Sequence, residues 1–515
     1  MDTFIQKYEP HVTGVLSGFD RLVFRGTLRV LAVTGGMMDF LWHVGVLLKD
    51  FGAYAEATTR RLKQASLQAA EELKRPIIYL PSSQTRKEDL ARSVAERDGI
   101  SEGLVAVLTC VEPCQSYQIH RDPERKKLVL QPWRRKGLFL YHYWMDKDFG
   151  LMHGRIQAWF PFPVQVCLNG REWLARSMDR AAIPYRKVDN AFPWIGDVPA
   201  AQALMDKLRC LNWPQFLGDI AHRLNPVHEQ IFKDYPVDYY WTVHQSEWAT
   251  DVMLDCRQTV EGLYPLLTRG AMAAFSCQEV MRFFGRRLSG HFQGEIMSDH
   301  RRREEGVRIK HQVDANSLKA YDKGPILRVE TTLNNPRDFK TYRASERDPQ
   351  GEKKWLPMRK GIADLNRRAQ CCQASNERYL EALASLNTER PVRELVEPVC
   401  RPKTYDGRRV RALRPWSEPD RSLLEAINDG AFCINGLRHR DLLARLYPKG
   451  FCDERQRRRA QGRISRTLRL LRAHGLLAKV PRTYRYRVTD KGRQILTAIL
   501  CYQSVSLEQL AATAA

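Results

Sequence analysis

Residues 307–334 read VRIKHQVDANSLKAYDKGPILRVETTLN, and this stretch decides the fold expected for the middle of the chain. Apolar and polar residues alternate through it, which is typical of β-strands. Turn-forming residues interrupt the alternation at 314–316 and at 324–325. The stretch is therefore predicted to form three short antiparallel strands, over residues 307–313, 317–323 and 326–334.

The alternation also predicts which side chains share a face of these strands. Successive side chains in a strand point to opposite faces. Lys319, Tyr321 and Lys323 therefore share one face of the second strand, and Arg328 and Glu330 share one face of the third. One face of the sheet is expected to pack on a core. The other face would gather cations, a phenol and a carboxylate, which is a suitable surface for phosphate chemistry.

The composition indicates a globular protein with a polyanionic partner. A chain of 515 residues is too long for one ordinary core and predicts roughly two to four domains. Its 83 Lys and Arg outnumber 59 Asp and Glu, which gives a net charge of +24. An excess of this size favours nucleic acid as the partner, and a merely basic soluble protein is the plainer alternative.

Other sequence features favour a cytoplasmic location. The sequence has no run of about 18 apolar residues, so no membrane span is expected. The first ten residues, MDTFIQKYEP, lack the apolar segment of a secretory signal. The 12 cysteines include no CxxC pair, so paired zinc knuckles are not expected. Most of the cysteines are expected to be reduced thiols.

The predicted fold class is a multidomain α+β protein with mixed or antiparallel sheets, helices and a C-terminal winged helix. Residues 200–284 are expected to be helical apart from a strand at 237–243, with helix resuming near Thr250, and residues 183–199 are expected to form a loop. Four segments are predicted: an N-terminal α+β domain (1–199), a helical and β-meander domain with the candidate active site (200–387), a linker (388–416), and a nucleic-acid-binding domain (417–515).

The C-terminal segment has the pattern of three helices, a two-stranded hairpin and a closing helix. The helices are expected over 418–428, 439–446 and 453–474, the hairpin within LLAKVPRTYRYRV, and the last helix after Thr489. The stretch HGLLAKV…YRYRVTDKGRQIL resembles the wing region of MarR-type bacterial winged-helix proteins. The resemblance covers roughly the last ninety residues and implies a winged helix.

The longest of these helices has an apolar stripe and a cationic front. Ile464, Leu468 and Leu471 are predicted to form its core stripe. A recognition helix in a major groove needs this arrangement, although a winged helix can also bind protein. The residues predicted to contact nucleic acid are Lys319, Arg455, Arg459, Arg463, Arg466, Arg469, Arg482, Arg485 and Arg487.

The central strands resemble those of a known enzyme family. SLKAYDKG followed by LRVETTL is similar to the strand pair of tyrosine-dependent rolling-circle replication initiators of plasmids and filamentous phages. The resemblance implies that Tyr321 attacks a DNA phosphate and that Lys323 orients the phosphate or favours the phenolate. It also implies that Glu330 binds a metal or orients water, and that Arg328 clamps the phosphate.

The metal half of such a site is incomplete in the sequence. The initiator family carries a His-hydrophobic-His motif, and none of the 13 histidines forms a His-x-His pair. His244 with Glu247 is the best substitute, with Asp251 nearby, and these would join Glu330 around Mg²⁺ or Mn²⁺. His311 is another candidate ligand. A structural histidine is the favoured alternative for His244.

Three functions follow from these patterns. The first is a plasmid or mobile-element protein that nicks and rejoins single-stranded DNA through Tyr321 with a divalent metal. The second is a non-catalytic DNA- or RNA-binding protein, either a regulator or a ribonucleoprotein component. The third is a metal-dependent endonuclease without a covalent step, using Glu330 and other acids. DNA is favoured over RNA as the partner, and a homodimer is compatible with each function.

Overall fold

A computed structural model describes residues 1–500 except 125, 287, 289–291, 304–305, 346–347, 387–391, 429–431, 433–435, 449, 482, 490, 493–494 and 497. The protein is α+β with a large mixed sheet, and it divides into two compact units. We call Pro10–Val260 with Ala315–Asn376 the sheet unit. We call Met1–Glu9, Glu261–Asp314 and Glu377–Ala515 the C-terminal unit.

The strands, in chain order, are β1 (Val12–Leu28), β2 (Ile77–Leu80), β3 (Gly103–Asp122), β4 (Lys127–Asp146), β5 (Gly150–Gln157), β6 (Val164–Asn169), β7 (Tyr185–Val188), β8 (Ala191–Ile195), β9 (Tyr239–Leu254), β10 (Ile296–Arg303), β11 (Gly306–Val313), β12 (Asn316–Lys323), β13 (Ile326–Leu333), β14 (Lys340–Arg343), β15 (Lys354–Pro357), β16 (Lys403–Tyr405), β17 (Arg408–Val410), β18 (Leu437–Arg438), β19 (Leu477–Lys479) and β20 (Arg485–Val488).

The α-helices are α1 (Asp2–Lys7), α2 (Thr34–His43), α3 (Phe51–Glu72), α4 (Lys87–Arg97), α5 (Gly170–Arg180), α6 (Val198–Lys207), α7 (Trp213–Leu224), α8 (His228–Ile231), α9 (Arg257–Ala274), α10 (Cys277–Phe283), α11 (Leu365–Leu386), α12 (Val392–Val396), α13 (Glu418–Ile427), α14 (His439–Leu446) and α15 (Glu454–Ala473). Among the described residues, no helix combines the length and the apolar character needed to cross a bilayer.

The sheet unit is built on one large sheet with the strand order β12-β13-β9-β1-β6-β5-β4-β3-β2. Neighbours in this order pair antiparallel, except that β2 and β3 pair parallel. Strands that are distant in sequence therefore lie side by side at its centre. β1 pairs with β9, and β9 pairs with β13.

Helices cover both faces of this sheet. On one face, α3 places Ser66 against His142, and α11 places Asn376 against the carbonyl of Val329. On the other face, α5 carries the buried Arg171, which donates to the carbonyl of Ala249 on β9. Every residue of β13 is buried as a result. The predicted division of this strand into a core face and an open working face is therefore wrong, because its polar face is also covered.

The structure confirms the three strands predicted in 307–334 as β11, β12 and β13. The helix expected to resume near Thr250 is wrong, because β9 continues to Leu254 and α9 begins at Arg257. Residues 183–199, expected to be a loop, contain the hairpin β7–β8. The spacing of Glu247 and Asp251 does not distinguish the two structures, since residues four apart lie on one side of a helix and also on one face of a strand.

A β-bulge interrupts the pairing of β1 with β9. Phe19 pairs with Trp248 and Arg21 pairs with Glu247, which leaves Asp20 as the extra residue of β1. A bulge re-aims the side chains around it and is common next to active sites. The bulge turns the Asp20 side chain toward the face that carries Glu247.

The start of α5 is fixed closely against β1. Asn169 caps the helix and accepts hydrogen bonds from the backbone N–H groups of Arg171 and Glu172. Gly170 lies so near β1 that a Cβ there would be 2.1 Å from the carbonyl oxygen of Phe19. Glycine at this position therefore lets α5 bring Arg171 into the sheet interior.

The C-terminal unit includes helices α13, α14 and α15 and a three-stranded antiparallel sheet with the order β18-β20-β19. Ile464, Leu468 and Leu471 of α15 are buried, which confirms the predicted core stripe. β19 and β20 form the predicted hairpin. In the segment where a closing helix is expected after Thr489, residues 491–492, 495–496 and 498–500 are helical, and residues 490, 493–494, 497 and 501–515 lie outside the described residues.

Replacing Gly170 by alanine tests the close contact of α5 with β1. We expect Gly170→Ala to lower the free energy of unfolding by about 1–3 kcal/mol, because the new methyl group meets backbone that cannot move aside. Gly218→Ala is the matched control, since a Cβ at Gly218 in α7 meets nothing within 4 Å. The control should be stabilised by roughly 0.5–1 kcal/mol. Urea denaturation measures both, and equal behaviour of the two variants would contradict the close contact.

Candidate metal centre

Three carboxylates from three neighbouring strands meet in the sheet unit. They belong to Asp20 of β1, Glu247 of β9 and Glu330 of β13, and one ligand oxygen of each lies within 4.8 Å of the others. Asp20 and Glu330 are buried, and Glu247 is half-buried. Unpaired carboxylates are costly to bury together, so this cluster requires a compensating charge.

The register of the strands accounts for the cluster. Glu247 pairs with Thr332 of β13, which places it beside Glu330 on the same face. Glu247 also pairs with Arg21 of β1, next to the bulged residue Asp20. We call this side of the sheet the site face. The three carboxylates are therefore held by backbone pairing and not by flexible loops.

A buried arginine links the three strands below the cluster. Arg328 Nε and Nη2 donate to the two carboxylate oxygens of Asp251 at 2.6 and 2.9 Å, and Arg328 Nη1 donates to Asp20 Oδ2 at 3.1 Å. Arg328 also donates to the carbonyl of Asn190. The guanidinium is thus surrounded by acceptors of this chain, an environment that differs from the phosphate clamp implied by the initiator resemblance.

Asp251 is neutralised by two arginines. Besides Arg328, Arg171 Nη2 lies 3.2 Å from Asp251 Oδ2. Burial opposes ionisation of Asp251, but Arg328 and Arg171 outweigh it and hold its pKa below the usual value. Asp251 is therefore a buried counter-ion of the arginines and not a spare ligand.

The pKa values of two of the clustered acids are raised despite the nearby cations. Burial raises the pKa of Asp20, against the opposing effect of Arg328. Burial, and then the nearby Glu330, raise the pKa of Glu247 to about 7, while Lys319 opposes the rise. A divalent cation between these oxygens would replace the proton that the cluster otherwise retains.

One lysine is held against the cluster. Lys319 Nζ donates to Glu330 Oε1 at 2.8 Å, and the two residues are cross-strand partners on β12 and β13. Burial alone would lower the pKa of Lys319, but Glu330 and Tyr321 outweigh it and hold the pKa above the usual value. Lys319 therefore remains a fixed positive charge at the edge of the site.

Asn190 offers a further oxygen. Its side-chain Nδ2 donates to Asp20 Oδ1, and its Oδ1 is buried without a hydrogen-bond partner among the described residues. A buried amide oxygen without a partner is uncommon in a folded protein. Carboxylate and amide oxygens are the ligands preferred by Mg²⁺ and related hard cations. The three carboxylates therefore fit such an ion, and Asn190 lies beside Asp20 with a further oxygen of the same kind.

The cluster borders a cavity of about 630 Å³ in the sheet unit. Carboxylates and cations both line this cavity. Its lining residues are Asp20, Arg21, Glu88, Arg92, Tyr143, Leu151, His153, Cys167, Leu168, Asn169, Glu172, Lys187, Asp189, Asn190 and Glu247. The cavity is large enough to admit part of a polymeric substrate next to the carboxylates.

The structure brings together part of the predicted site. Glu247 and Glu330 lie together in the cluster, as predicted. Asp20 was not predicted, because it lies far from both residues in the sequence and no local pattern connects them. Tyr321 lies on β12 opposite Arg328, and Lys323 lies two residues further along the same face. Both side chains are half-buried.

The structure places the two candidate histidine ligands elsewhere. On β9, Gln245 pairs with Val23 and Val243 with Phe24, so His244 is the extra residue of a second bulge. Its side chain lines another cavity. His311 belongs to the C-terminal unit.

His311 lies in an aromatic cluster. Its Nδ1 is 2.8 Å from Ser298 Oγ, and its ring contacts Phe275, Phe283 and Tyr379. Burial lowers the pKa of His311 to about 4. It is therefore a neutral core histidine in the structure.

The predicted nucleic-acid contacts of the C-terminal unit differ in exposure. The arginines exposed on α15 are Arg455, Arg459, Arg463 and Arg466. Arg469 is half-buried and donates to the carbonyl of Tyr405 at 3.2 Å. On β20, Arg485 is half-buried, and exposed Arg487 lies 3.4 Å from Gln278 Oε1. Arg482 lies outside the described residues.

Comparison of the sequence with protein families and with curated proteins, and of the structure with solved structures, finds no match. The geometry and charge of the cluster are therefore the basis for the function proposed below.

Removal of Arg328 should strongly destabilise the protein. Arg328→Met keeps the volume but leaves Asp20 and Asp251 buried without their shared partner, which should cost about 3–5 kcal/mol. Arg92→Ala is the control, because Arg92 lines the cavity beside Asp20 but is exposed, and its ion pair with Glu88 lies at the surface. Its effect should stay within about 0.5 kcal/mol. Chemical denaturation without metal measures both, and a small effect of Arg328→Met would refute the linking role.

The raised pKa of Glu247 predicts how stability depends on pH. Between the usual pKa of 4.5 and about 7, the folded protein retains a proton that the unfolded chain releases. The metal-free protein should therefore lose stability as pH rises through this window and level off above it. Denaturation at several pH values in chelator measures this, and Glu247→Gln should remove the Glu247 part of the slope. An unchanged slope in Glu247→Gln would contradict the assignment.

Proposed function

We propose that this chain is a metal-dependent nucleic-acid phosphodiesterase whose metal site is formed by Asp20, Glu247 and Glu330. The proposal rests mainly on these three carboxylates, which converge from three strands to within 4.8 Å and include Glu247, whose pKa is raised to about 7. The net charge of +24 favours a nucleic acid as the substrate. Mg²⁺ or Mn²⁺ suits an all-oxygen donor set of this kind.

When bound, such an ion supplies Lewis acidity toward a phosphate oxygen and lowers the pKa of a coordinated water. The chain's own residues hold the reacting groups in place. Glu247 and Glu330 provide rigid carboxylate oxygens from adjacent strands. Lys319 remains charged beside Glu330 and is positioned to stabilise negative charge on a phosphate. Arg21 and Arg92 line the cavity through which the substrate would enter.

The C-terminal unit supports the same function as a nucleic-acid-binding module. Its three helices and the small sheet β18-β20-β19 support the proposal that it is a winged helix, in which α15 would be the recognition helix. The exposed arginines of α15 would contact phosphates and bases, and Arg485 and Arg487 would contact phosphates from the wing. This module would select the site on DNA that the sheet unit cleaves.

A second candidate function is tyrosine-dependent nicking, as in the rolling-circle initiators that the central strands resemble. The placement of Tyr321 favours it, since this residue shares the site face with Lys319 and pairs across the strands with Arg328. In this route Tyr321 would attack the phosphate and keep the 5′ end, with Lys323 assisting. A plasmid or mobile element would then be the natural setting. If the chain cleaves no nucleic acid, the remaining alternative is a non-catalytic DNA- or RNA-binding protein.

Cleavage of single-stranded DNA with Mn²⁺ or Mg²⁺ tests the proposal. We expect the wild-type chain to cleave and Glu247→Gln to lose at least about a hundredfold in rate, because a metal-holding oxygen is lost. Glu88→Gln is the matched control, since Glu88 lines the same cavity outside the carboxylate cluster and should retain activity. Equal loss in both variants, or activity that persists in chelator, would refute the metal centre.

The same reactions distinguish the two chemical routes. An adduct of DNA and protein that resists SDS, and that disappears in Tyr321→Phe, would establish the covalent route. Cleavage by Tyr321→Phe at the wild-type rate without an adduct would establish the water-dependent route. Absence of cleavage on both single-stranded and duplex substrates, with binding retained, would leave the non-catalytic function.

A further inference from the structure

A second cavity in the sheet unit is lined by cations. Its volume is about 390 Å³. The lining residues are Arg25, Pro113, Cys114, Gln115, Arg134, Phe139, Arg155, Gln157, Pro163, Val164, Gln165 and His244. Three arginines, a histidine and three glutamines are thus present, and no carboxylate belongs to this described lining. We call it the arginine cavity.

The arginine cavity opens on the same face of the sheet as the carboxylate cluster. Arg25 of β1 pairs with Gln165 of β6, and Gln165 pairs with Arg155 of β5. These residues therefore form one row across three strands. Arg21 lies four residues before Arg25 on β1, and β1 pairs regularly with β6 between them. Arg21 and Arg25 consequently share the site face.

The spacing along β1 relates the two cavities. Arg21 lines the cavity beside the carboxylates, and Arg25 lines the arginine cavity. Four strand residues correspond to about 13 Å. A chain molecule lying along β1 could therefore reach both cavities at once.

A carboxylate next to this cavity, Glu112, already has partners. Glu112 Oε2 accepts from Arg155 Nη1 at 3.0 Å, and Glu112 Oε1 accepts from Tyr141 and lies 3.4 Å from Lys87 Nζ. The charge of Glu112 is thus shared between Arg155 and Lys87. Arg25 and Arg134 are both exposed at the cavity.

Burial and, to a smaller extent, repulsion between neighbouring cations lower the pKa values of His244 and Arg25. Burial, followed by Lys360 and Arg25, lowers the pKa of His244. Desolvation and then Arg155 lower the pKa of Arg25. A bound anion would relieve this repulsion, because it brings the opposite charge to several cations together.

We propose that the arginine cavity is a phosphate-binding subsite that holds the backbone of a single nucleic-acid strand, at a phosphate distant from the one at Asp20, Glu247 and Glu330. This inference rests on the proposed function, since the strand is taken to be the substrate. Arg25 and Arg134 contact the phosphate, and Gln165 donates a hydrogen bond to the backbone. The subsite fixes the direction in which the strand passes the carboxylates.

Equilibrium binding by the full chain in chelator tests the subsite without cleavage. The probe is a fluorescent single-stranded DNA oligonucleotide, with an RNA of the same sequence as a second arm, over a series of salt concentrations. We expect the double variant Arg25→Ala, Arg134→Ala to bind DNA roughly tenfold more weakly. Its logarithmic salt slope should fall by about 1.4, which corresponds to two lost phosphate contacts on a single strand. A similar loss with RNA identifies the shared phosphate backbone as the ligand, and a loss with DNA alone assigns the subsite to DNA.

The matched control is the double variant Arg60→Ala, Lys63→Ala. Both residues are exposed on α3, which packs on the opposite face through Ser66 and His142. This variant removes the same charge and should bind as the wild type does. Circular dichroism and Mn²⁺-dependent thermal stabilisation verify that every variant folds and retains the carboxylate cluster.

The outcomes separate the subsite from the cleavage function. Equal binding by the two double variants overturns the subsite, even if the wild type cleaves DNA. Selective weakening in Arg25→Ala, Arg134→Ala supports the subsite, even if no cleavage is found and the proposed function fails. Wild-type binding with no salt dependence overturns phosphate contact altogether.

Discussion

Arg328 is the residue on which the structure of the site depends. Its guanidinium is buried between Asp251 of β9 and Asp20 of β1, and it projects from β13. One side chain thereby joins the strands that carry all three clustered carboxylates. A buried arginine of this kind contributes little net stability by itself, yet its loss leaves buried charges unpaired. The interaction fixes which carboxylates are neutralised and which retain the capacity to bind a cation.

The sheet separates opposite charges along a single face. Asp20, Glu247 and Glu330 form a negative cluster. Arg25 and Arg155 belong to a positive row about 13 Å away, a distance set by the strand rise along β1. A metal ion suits the first region and a phosphate suits the second. A nucleic-acid strand with a metal-bound phosphate satisfies both, so the two regions are consistent with one extended substrate path.

The sequence was most informative where the structure is local. The turns in 307–334 predicted β12 and β13, and apolar spacing predicted the core stripe of α15. Glu247 and Glu330 were selected as acids for a metal, and both belong to the cluster. Asp20 was not found, because a bulge and pairing with β9, over two hundred residues later, bring it there. The same long-range pairing places His244 at a second bulge and brings Asp20 and Asp251 of other strands to Arg328.

The central claim is that Asp20, Glu247 and Glu330 hold a divalent ion. Anomalous difference density from crystals soaked in Mn²⁺ tests it most directly. The account predicts one strong peak with an oxygen of each carboxylate at roughly 2.0–2.5 Å from it, the range of hard-cation coordination. Saturated crystals whose anomalous peaks all lie away from these three carboxylates would contradict it.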